Sequence, residues 1–279
     1  MTFFVSLVAL VKLASAMQIE FAKLSFEGRN LRLEYAWLNA DRADAPLIVF
    51  MHEGLGSLAM WGGFPQRLCD AGGFRGLLYS RYGYGRSTAW PARVQWPLDY
   101  LEREARQLLP DFLRTVGADA RPWLFGHSDG ASIGRIHAAA HPNELGGAVV
   151  LAPHIFVEEA TIAGIAAARR SYETSDLRKR LARRHADPEA TFWRWHDRWT
   201  APSFRTWNIE TLLTSIRCVV LAIQGEDDEY ATMAQLDGIK RQLPQAELLK
   251  LAACRHAPHR DQPKPVIDAV IRFIGNAAP

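Results

Sequence analysis

Apolar residues along the chain fall into short continuous runs that alternate with stretches of helical periodicity. Six runs of the kind typical of strands buried on both faces occur at residues 46–51, 75–80, 121–126, 147–152, 218–223 and 247–251. Helical patterns occur at about 99–116, 129–140, 232–243 and 263–275. Two earlier runs, at 21–26 and 31–38, flank a Gly-containing turn and predict an antiparallel hairpin. Buried strands separated by helices predict an α/β fold, with a mostly parallel eight-stranded sheet flanked by helices.

The stretch from residue 155 to 217 interrupts this alternation. Its polar and apolar positions have helical spacing, and it is dense in aromatic residues: Phe192, Trp193, Trp195, Trp199, Phe204 and Trp207. The pattern predicts a helical insertion at 155–217 in a core that consists of residues 21–154 and 218–279. Residues 1–20 precede the first strand as an N-terminal extension.

The segment Gly126-His127-Ser128-Asp129-Gly130 follows a predicted strand and opens a predicted helix. It matches G-x-S-x-G, a pattern in which a serine lies on a strained turn between a strand and a helix. Glycines flank such a serine because the sharp turn leaves no room for a Cβ on either side. The free N–H groups at the helix start point toward a centre where negative charge develops. The context favours a nucleophilic Ser128 over a serine in an ordinary tight turn.

A serine hydroxyl is a poor nucleophile near neutral pH and needs a base, which in turn needs an orienting group. Three carboxylates follow the predicted strand 218–223, and we favour Asp228 because this acid usually lies three residues past the glycine that closes the strand. Asp227 remains the alternative. His256, in the loop after strand 247–251, is the expected base because Ala-Pro and a helix follow it. We expect His259 at the surface or one layer behind the site.

An acyl-transfer site also needs hydrogen-bond donors for the oxyanion. The backbone N–H of Asp129, directly after the nucleophile, is one expected donor. The second comes from the loop after an earlier strand, here His52-Glu53-Gly54-Leu55-Gly56-Ser57 after strand 46–51. The amides of Glu53, Gly54 and Leu55 are all candidates, and we favour Gly54. His52 is expected to form structural hydrogen bonds.

These motifs, in this order and each after an apolar strand, resemble the α/β-hydrolase superfamily over about residues 21 to 277. The segment 79–87 is similar to the G-x-G-x-S loop of those enzymes, although Arg81 replaces an acidic residue often found there. Glu53 replaces the first glycine of their H-G-x-x-G oxyanion loop, and Arg255 replaces a glycine before the histidine. A serine nucleophile disfavours the aspartate-dependent members, which are haloalkane dehalogenases and epoxide hydrolases.

The resemblance further implies that the insertion at 155–217 forms a cap over the serine and shapes the pocket. We expect most of its aromatic residues to attach the cap to the core and one or two to face the substrate. The substrate-binding candidates are Leu55, His154, Trp195 and Trp199. Such a lid suggests a largely apolar substrate of modest size rather than a polymer or a protein.

Composition agrees with a globular enzyme that acts on a small molecule. The chain has 279 residues, 48% of them apolar and 23% charged, and a net charge of only +3. Its one concentration of basic residues, at 169–184, is interspersed with acids and favours a solvated helix face over a site for an anionic leaving group. Nucleic-acid binding has no other support. The three cysteines predict reduced thiols, and no motif calls for a metal or a cofactor.

The N-terminus bears on localisation. Residues 3–13 are largely apolar, and Ala14-Ser15-Ala16 would suit a signal peptidase. However, no Lys or Arg precedes the apolar run, Lys12 interrupts its end, and the run is too short to span a bilayer. Met17 is an alternative start. We favour a cytoplasmic protein over an exported one and expect no stable membrane insertion.

Together these patterns predict a serine-dependent hydrolase of a carboxylic ester, a thioester or a lactone. Carbon–carbon bond hydrolysis, amide hydrolysis and cofactor-free perhydrolysis on the same residues are alternatives. A non-catalytic ligand-binding protein of the same fold is another, although such a protein has no need of a complete Ser-Asp-His set. The sequence leaves the substrate and the oligomeric state open.

Overall fold

The computed structural model describes residues 17–91 and 94–277. The predictions for residues 1–16 lie outside the described part of the chain. Eight strands form one sheet in the order β1-β2-β4-β3-β5-β6-β7-β8. Their bounds are β1 Glu20–Phe26, β2 Arg29–Leu38, β3 Leu47–Met51, β4 Arg75–Tyr79, β5 Trp123–His127, β6 Gly147–Leu151, β7 Val219–Gly225 and β8 Glu247–Leu251. Strand β2 is antiparallel to both neighbours, and all other pairs are parallel, which confirms the predicted fold class.

Helices flank this sheet and fill the connections between its strands. They are α1 Phe64–Gly72, α2 Tyr100–Arg103, α3 Leu109–Thr115, α4 Asp129–Ala140, α5 Glu159–Thr174, α6 Leu177–Ala182, α7 Pro188–Thr200, α8 Glu210–Leu213, α9 Ala234–Gln242, α10 Pro258–Asp261 and α11 Pro263–Ala277. A π-helical turn, Glu104–Leu108, joins α2 to α3, so the helix predicted at 99–116 is one continuous helix with a π-helical turn in its middle. Within the described residues, no helix is long and apolar enough to cross a membrane.

Side chains alternate along the central strands, so that the sheet is buried on both faces. On β3, Val49 and Met51 belong to one apolar cluster, whereas Ile48 and Phe50 belong to another on the opposite face. Helices α1 and α11 cover the face of Ile48 and Phe50, and the cluster there includes the buried, unpaired thiol of Cys69. This double burial explains why the central strands read as continuous apolar runs.

The connection from β6 to β7 carries α5, α6, α7 and α8, in agreement with the helical pattern expected at 155–217. Its aromatic residues pack together, with the rings of Tyr172 and Phe192 stacked 3.9 Å apart. Other side chains attach this helical segment to the core. The indole N–H of Trp199 donates to the Tyr100 hydroxyl at 3.0 Å, and that of Trp207 donates to Glu102 at 3.0 Å. The segment is therefore held against α2 by hydrogen bonds as well as by apolar contact.

Candidate active site

Ser128 lies on a sharp turn between β5 and α4. Its φ of 53° and ψ of −114° are strained for a residue with a Cβ, as expected of a serine placed on such an elbow. The backbone N–H of Ser128 donates to the Leu151 carbonyl at 2.9 Å and ties the turn to β6. A Cβ on Gly126 would overlap the Gly130 carbonyl oxygen, and one on Gly130 would overlap that of Met51. Both glycines are thus required by close backbone approach.

A cavity of about 330 Å³ opens over Ser128, at the small end of the range of ligand pockets. The four predicted substrate-binding residues, Leu55, His154, Trp195 and Trp199, all line it. Its other walls are formed by Glu53, Gly54, Met60, His127, Asp129, Thr161, Ile165, Leu177, Leu181, Glu229, Tyr230, Arg255, His256, Ala257, Arg260 and Asp261. Several of these residues come from α5, α6 and α7, so the β6–β7 segment forms part of the cavity wall.

His256 and Asp228 meet at the edge of this cavity. The Nδ1 of His256 lies 2.8 Å from Oδ1 of Asp228, whose side chain is fully buried. The backbone N–H of Tyr230 donates to the same Oδ1 at 2.9 Å and fixes the carboxylate. Asp227, the alternative acid, is exposed instead. No hydrogen bond joins Ser128 Oγ to His256 across the described residues, and such bonds often tighten only in the substrate complex.

The charges of this pair are mutually stabilised. Burial opposes the imidazolium form of His256, but the Asp228 carboxylate, with smaller contributions from Glu229 and Glu53, raises its pKa above the usual value. Burial favours the neutral acid of Asp228, but His256 and the Tyr230 amide hold its pKa below the usual value. Asp228 therefore stays ionised at neutral pH and stabilises an imidazolium that forms beside it.

The loop after β3 is fixed through the carbonyl oxygen of Glu53. That oxygen accepts hydrogen bonds from the Gly56 amide at 3.0 Å, from His52 Nδ1 at 2.8 Å and from Arg81 Nη2 at 3.2 Å. In a planar trans peptide the following N–H points the opposite way, so the Gly54 N–H faces away from these three donors. Gly54 borders the cavity, and a Cβ there would overlap the indole of Trp195. The Gly54 amide is therefore available to a group in the cavity.

His52 and Arg81 explain how the loop is held. The Arg81 amide donates to His52 Nε2 at 3.1 Å, so Nδ1 carries the ring proton that the Glu53 carbonyl accepts. Burial and the Arg81 charge lower the pKa of His52 well below its usual value and keep it neutral. Arg81 Nη2 also lies 3.3 Å from Asp129 Oδ2, in a buried ion pair. The structural role expected of His52 is thus visible, and Arg81 links the loop after β3 to the residue after Ser128.

His127, a variable position of the elbow motif to which the sequence gave no role, contacts two neighbouring loops. Its Nε2 lies 2.7 Å from the His256 carbonyl oxygen, and its Nδ1 lies 3.6 Å from Glu53 Oε2. The alternation of side chains along β5 could have predicted the direction of this side chain, because His127 lies on the same sheet face as Phe125, two residues earlier. Burial favours the protonated acid of Glu53, but His127 and Arg260 hold the pKa of that carboxyl well below its usual value.

His259 was expected at the surface or one layer behind the site, and the structure shows it buried. Its side chain is only 1% exposed, and its ring packs 4.9 Å from both Trp61 and His127. The cause is α10, a single helical turn directly after the catalytic candidate His256, which directs His259 inward. It lies behind the site, the other of the two positions expected for it.

Comparisons with known proteins agree with this architecture. A family model described as "Alpha/beta hydrolase family" matches residues 48–269, more than half of the chain. The chain belongs to this family. No curated protein sequence matches it.

Solved structures of several esterases share the fold. A carboxylesterase structure from Nitrososphaera gargenis is 22% identical and has a TM-score of 0.69, with 91% of this chain and 98% of that chain covered. The esterase RhEst1 from Rhodococcus sp. ECU1013 is 20% identical, with a TM-score of 0.69 and coverage of 94% and 100%. A thermophilic esterase from Thermogutta terrifontis is 18% identical, with a TM-score of 0.68 and the same coverage. At these identities the similarity shows a common fold.

Proposed function

We propose that this protein is a serine hydrolase of carboxylic esters with a small, largely apolar substrate. The observation that carries the proposal is the His256–Asp228 pair, 2.8 Å apart, in which His256 lines the cavity that Ser128 borders. A strained serine and a histidine in one cavity, with a buried acid behind the histidine, are the parts that acyl transfer requires. Thioesters and lactones react by the same steps and belong to the same substrate class.

In the proposed reaction, Ser128 Oγ attacks the ester carbonyl while Nε2 of His256 accepts its proton. Asp228 holds the imidazole through Nδ1 and stabilises the imidazolium that forms. The amides of Asp129, at the N-terminus of α4, and Gly54 hold the oxyanion. His256 then protonates the leaving alcohol. Water, activated by the same histidine, releases the acid from the acyl-enzyme.

The cavity walls support a small, mainly apolar substrate. Leu55, Met60, Ile165, Leu177 and Leu181 contribute aliphatic surface. Two tryptophans of α7 add aromatic surface to the same cavity. In this proposal the β6–β7 segment acts as a cap, and the similar folds described as esterases favour ester hydrolysis over the other chemistries of this residue set.

The test compares wild type with Ser128→Ala and with Ser215→Ala, a control at an exposed serine remote from the cavity. A fluorophosphonate probe should label wild type and the control but not Ser128→Ala, and only the labelled proteins should hydrolyse a panel of p-nitrophenyl esters, acyl-CoAs and lactones. Circular dichroism and Tm should be alike in all three, because Ala tolerates the turn as well as Ser does. Wild type that is neither labelled nor active on the panel would refute the proposal and favour a binding protein of this fold.

A further inference from the structure

Two polar side chains lie in the mainly apolar wall of the cavity over Ser128. His154 and Thr161 both line it, and only 3% and 1% of their surfaces are exposed. Nδ1 of His154 and Oγ1 of Thr161 are buried and have no hydrogen-bond partner among the described residues. Buried polar groups are nearly always hydrogen bonded in proteins, because an unpaired one loses its hydration without compensation. Both side chains border the cavity, so a ligand in it can pair with each once the imidazole or the hydroxyl rotates toward it.

The backbone that carries His154 is held rigidly. Its carbonyl oxygen accepts hydrogen bonds from Ser132 Oγ at 2.9 Å and from Arg135 Nη2 at 2.6 Å, both on α4. The next amide, that of Ile155, donates to Gln235 Oε1 at 2.7 Å. These contacts fix the backbone at His154, whereas its ring makes no hydrogen bond within the described residues.

The His154 ring lies close to the proposed base, His256. The His154 ring centroid is 5.8 Å from that of His256 and 5.2 Å from that of Trp199. His154 therefore lines the same cavity as Ser128 and His256, beside which the substrate carbonyl lies in the proposed reaction. Thr161, in the first turn of α5, borders the same cavity seven residues later in the chain.

The charges in this region indicate an uncharged ligand group. Burial, with the nearby His256, lowers the pKa of His154 to about 3, so its ring is neutral at physiological pH. The two arginines that line the cavity already face carboxylates, Arg255 with Glu229 at 3.1 Å and Arg260 with Glu53 at 3.5 Å. A neutral imidazole and a hydroxyl offer donors and acceptors but no countercharge for an anion.

We infer that His154 and Thr161 form a polar subsite for an uncharged hydroxyl or keto oxygen of the substrate. The preferred ester is then a small apolar molecule that carries one such group. This inference rests on the proposed ester hydrolysis for its kinetic test, but the subsite itself is a binding property that is measurable without turnover.

The kinetic test uses matched methyl esters: methyl butanoate, methyl β-hydroxybutanoate, methyl acetoacetate and monomethyl succinate. Butyl acetate and hydroxybutyl acetate form a matched pair on the alcohol side. Wild type should favour a hydroxy or keto ester over its plain counterpart by about tenfold in kcat/KM, the size of one net hydrogen bond. Thr161→Val, which keeps the shape and removes the hydroxyl, and His154→Phe should each reduce that ratio toward one. Ile162→Val, on the same helix but outside the cavity wall, is the control and should leave the ratio unchanged.

A ratio near one in wild type for every matched pair would overturn the inference, and so would a ratio that survives in both polar-site variants. Preference for monomethyl succinate would indicate an anion site instead. Binding to Ser128→Ala protein, measured by calorimetry with the same esters, separates this failure from failure of the hydrolase proposal. If wild type hydrolyses no ester, tighter binding of the hydroxy or keto ester that Thr161→Val abolishes still supports the subsite. Equal binding of the matched esters overturns it.

Discussion

Replacement of Asp228 by Asn is the sharpest test of the proposed catalytic residues. The side chain is fully buried and its Oδ1 accepts from both His256 Nδ1 and the Tyr230 amide. Asn has nearly the same shape, so the fold should be kept. If the amide oxygen faces His256, the imidazolium loses its countercharge. If the amide nitrogen faces it, the ring proton moves to Nε2, which then cannot accept the proton of Ser128.

Either orientation removes the function of the base. A loss of kcat of about 10⁴-fold is expected from the equivalent change in a serine triad. That loss corresponds to about 5.5 kcal/mol of transition-state stabilisation. Asp227→Asn is the matched control, because Asp227 is adjacent in the chain, carries the same charge and is exposed. It should remain close to wild type in both kcat and kcat/KM.

The pH dependence gives a second readout of the same change. Activity needs neutral His256, so kcat/KM should rise with pH as this residue loses its proton. In wild type Asp228 raises the pKa of His256 above its usual value despite burial, so the rise should be centred above about pH 6.5. Without the Asp228 charge, burial is largely unopposed and the rise should move to lower pH.

The assay is ester hydrolysis by wild type and the two Asn variants from pH 5 to pH 9, with Tm as a check on folding. Equal damage from Asp227→Asn and Asp228→Asn would show that the register of this loop is wrong. A residual activity in Asp228→Asn with an unshifted pH profile would show that Asp228 does not set the charge state of His256.

Three further changes test other parts of the site. Gly54→Ala would force a methyl group into the Trp195 indole and displace the loop, so kcat should fall by about 10²-fold or more with a smaller change in KM. An unchanged kcat would contradict the expected displacement of an oxyanion donor. Trp195→Ala should alter the order of preference across a series of esters of increasing acyl length. Trp199→Ala should alter that order and also lower Tm, because its indole donates a hydrogen bond to α2. An unchanged order of preference in both variants would show that these indoles do not contact substrate. His127→Phe removes the donor to the His256 carbonyl and a partner of the Glu53 carboxylate, so kcat and Tm should both fall, and kinetics identical to wild type would exclude a positioning role.

The fold was largely predictable because its determinants are local. Each of the eight strands begins and ends within two residues of its predicted bounds, since double burial makes the central strands apolar throughout. Helix α1 was not predicted. It begins after Gly62-Gly63 and is only nine residues long, so its four buried positions cover too few turns to be recognised as a helical pattern in the sequence. Propensity at that length is a poor guide, because packing against α11 stabilises the helix more than its own composition does.

The site was predictable only where a motif fixes it. Ser128 was identified from the turn that contains it, whereas the choice of Asp228 over Asp227 depends on contacts across the sheet. The amide of Asp227 donates to the Cys254 carbonyl at 3.0 Å, and a Cβ on Gly225 would overlap that same oxygen. These contacts bring the end of β7 against the loop that carries His256. The direction in which each carboxylate points thus depends on tertiary contacts. Of the residues that make these contacts, the sequence pattern singles out only Gly225.

Glu53 and Arg81, which depart from the family's motifs, each have polar or charged neighbours that compensate for their burial. Glu53, in place of a glycine, brings a carboxylate beside the site, and that charge is stable only because His127 and Arg260 lie near it. Arg81, in place of an acid, is buried and needs anions and carbonyl groups around it, which Asp129 and the Glu53 carbonyl supply. Because a buried charge without partners is costly, neither substitution is tolerable without its neighbours. Hydrogen bonds and ion pairs of Arg81, His127 and Arg260 consequently connect the loop that carries Gly54 with the turn that carries Ser128 and the segment that carries His256.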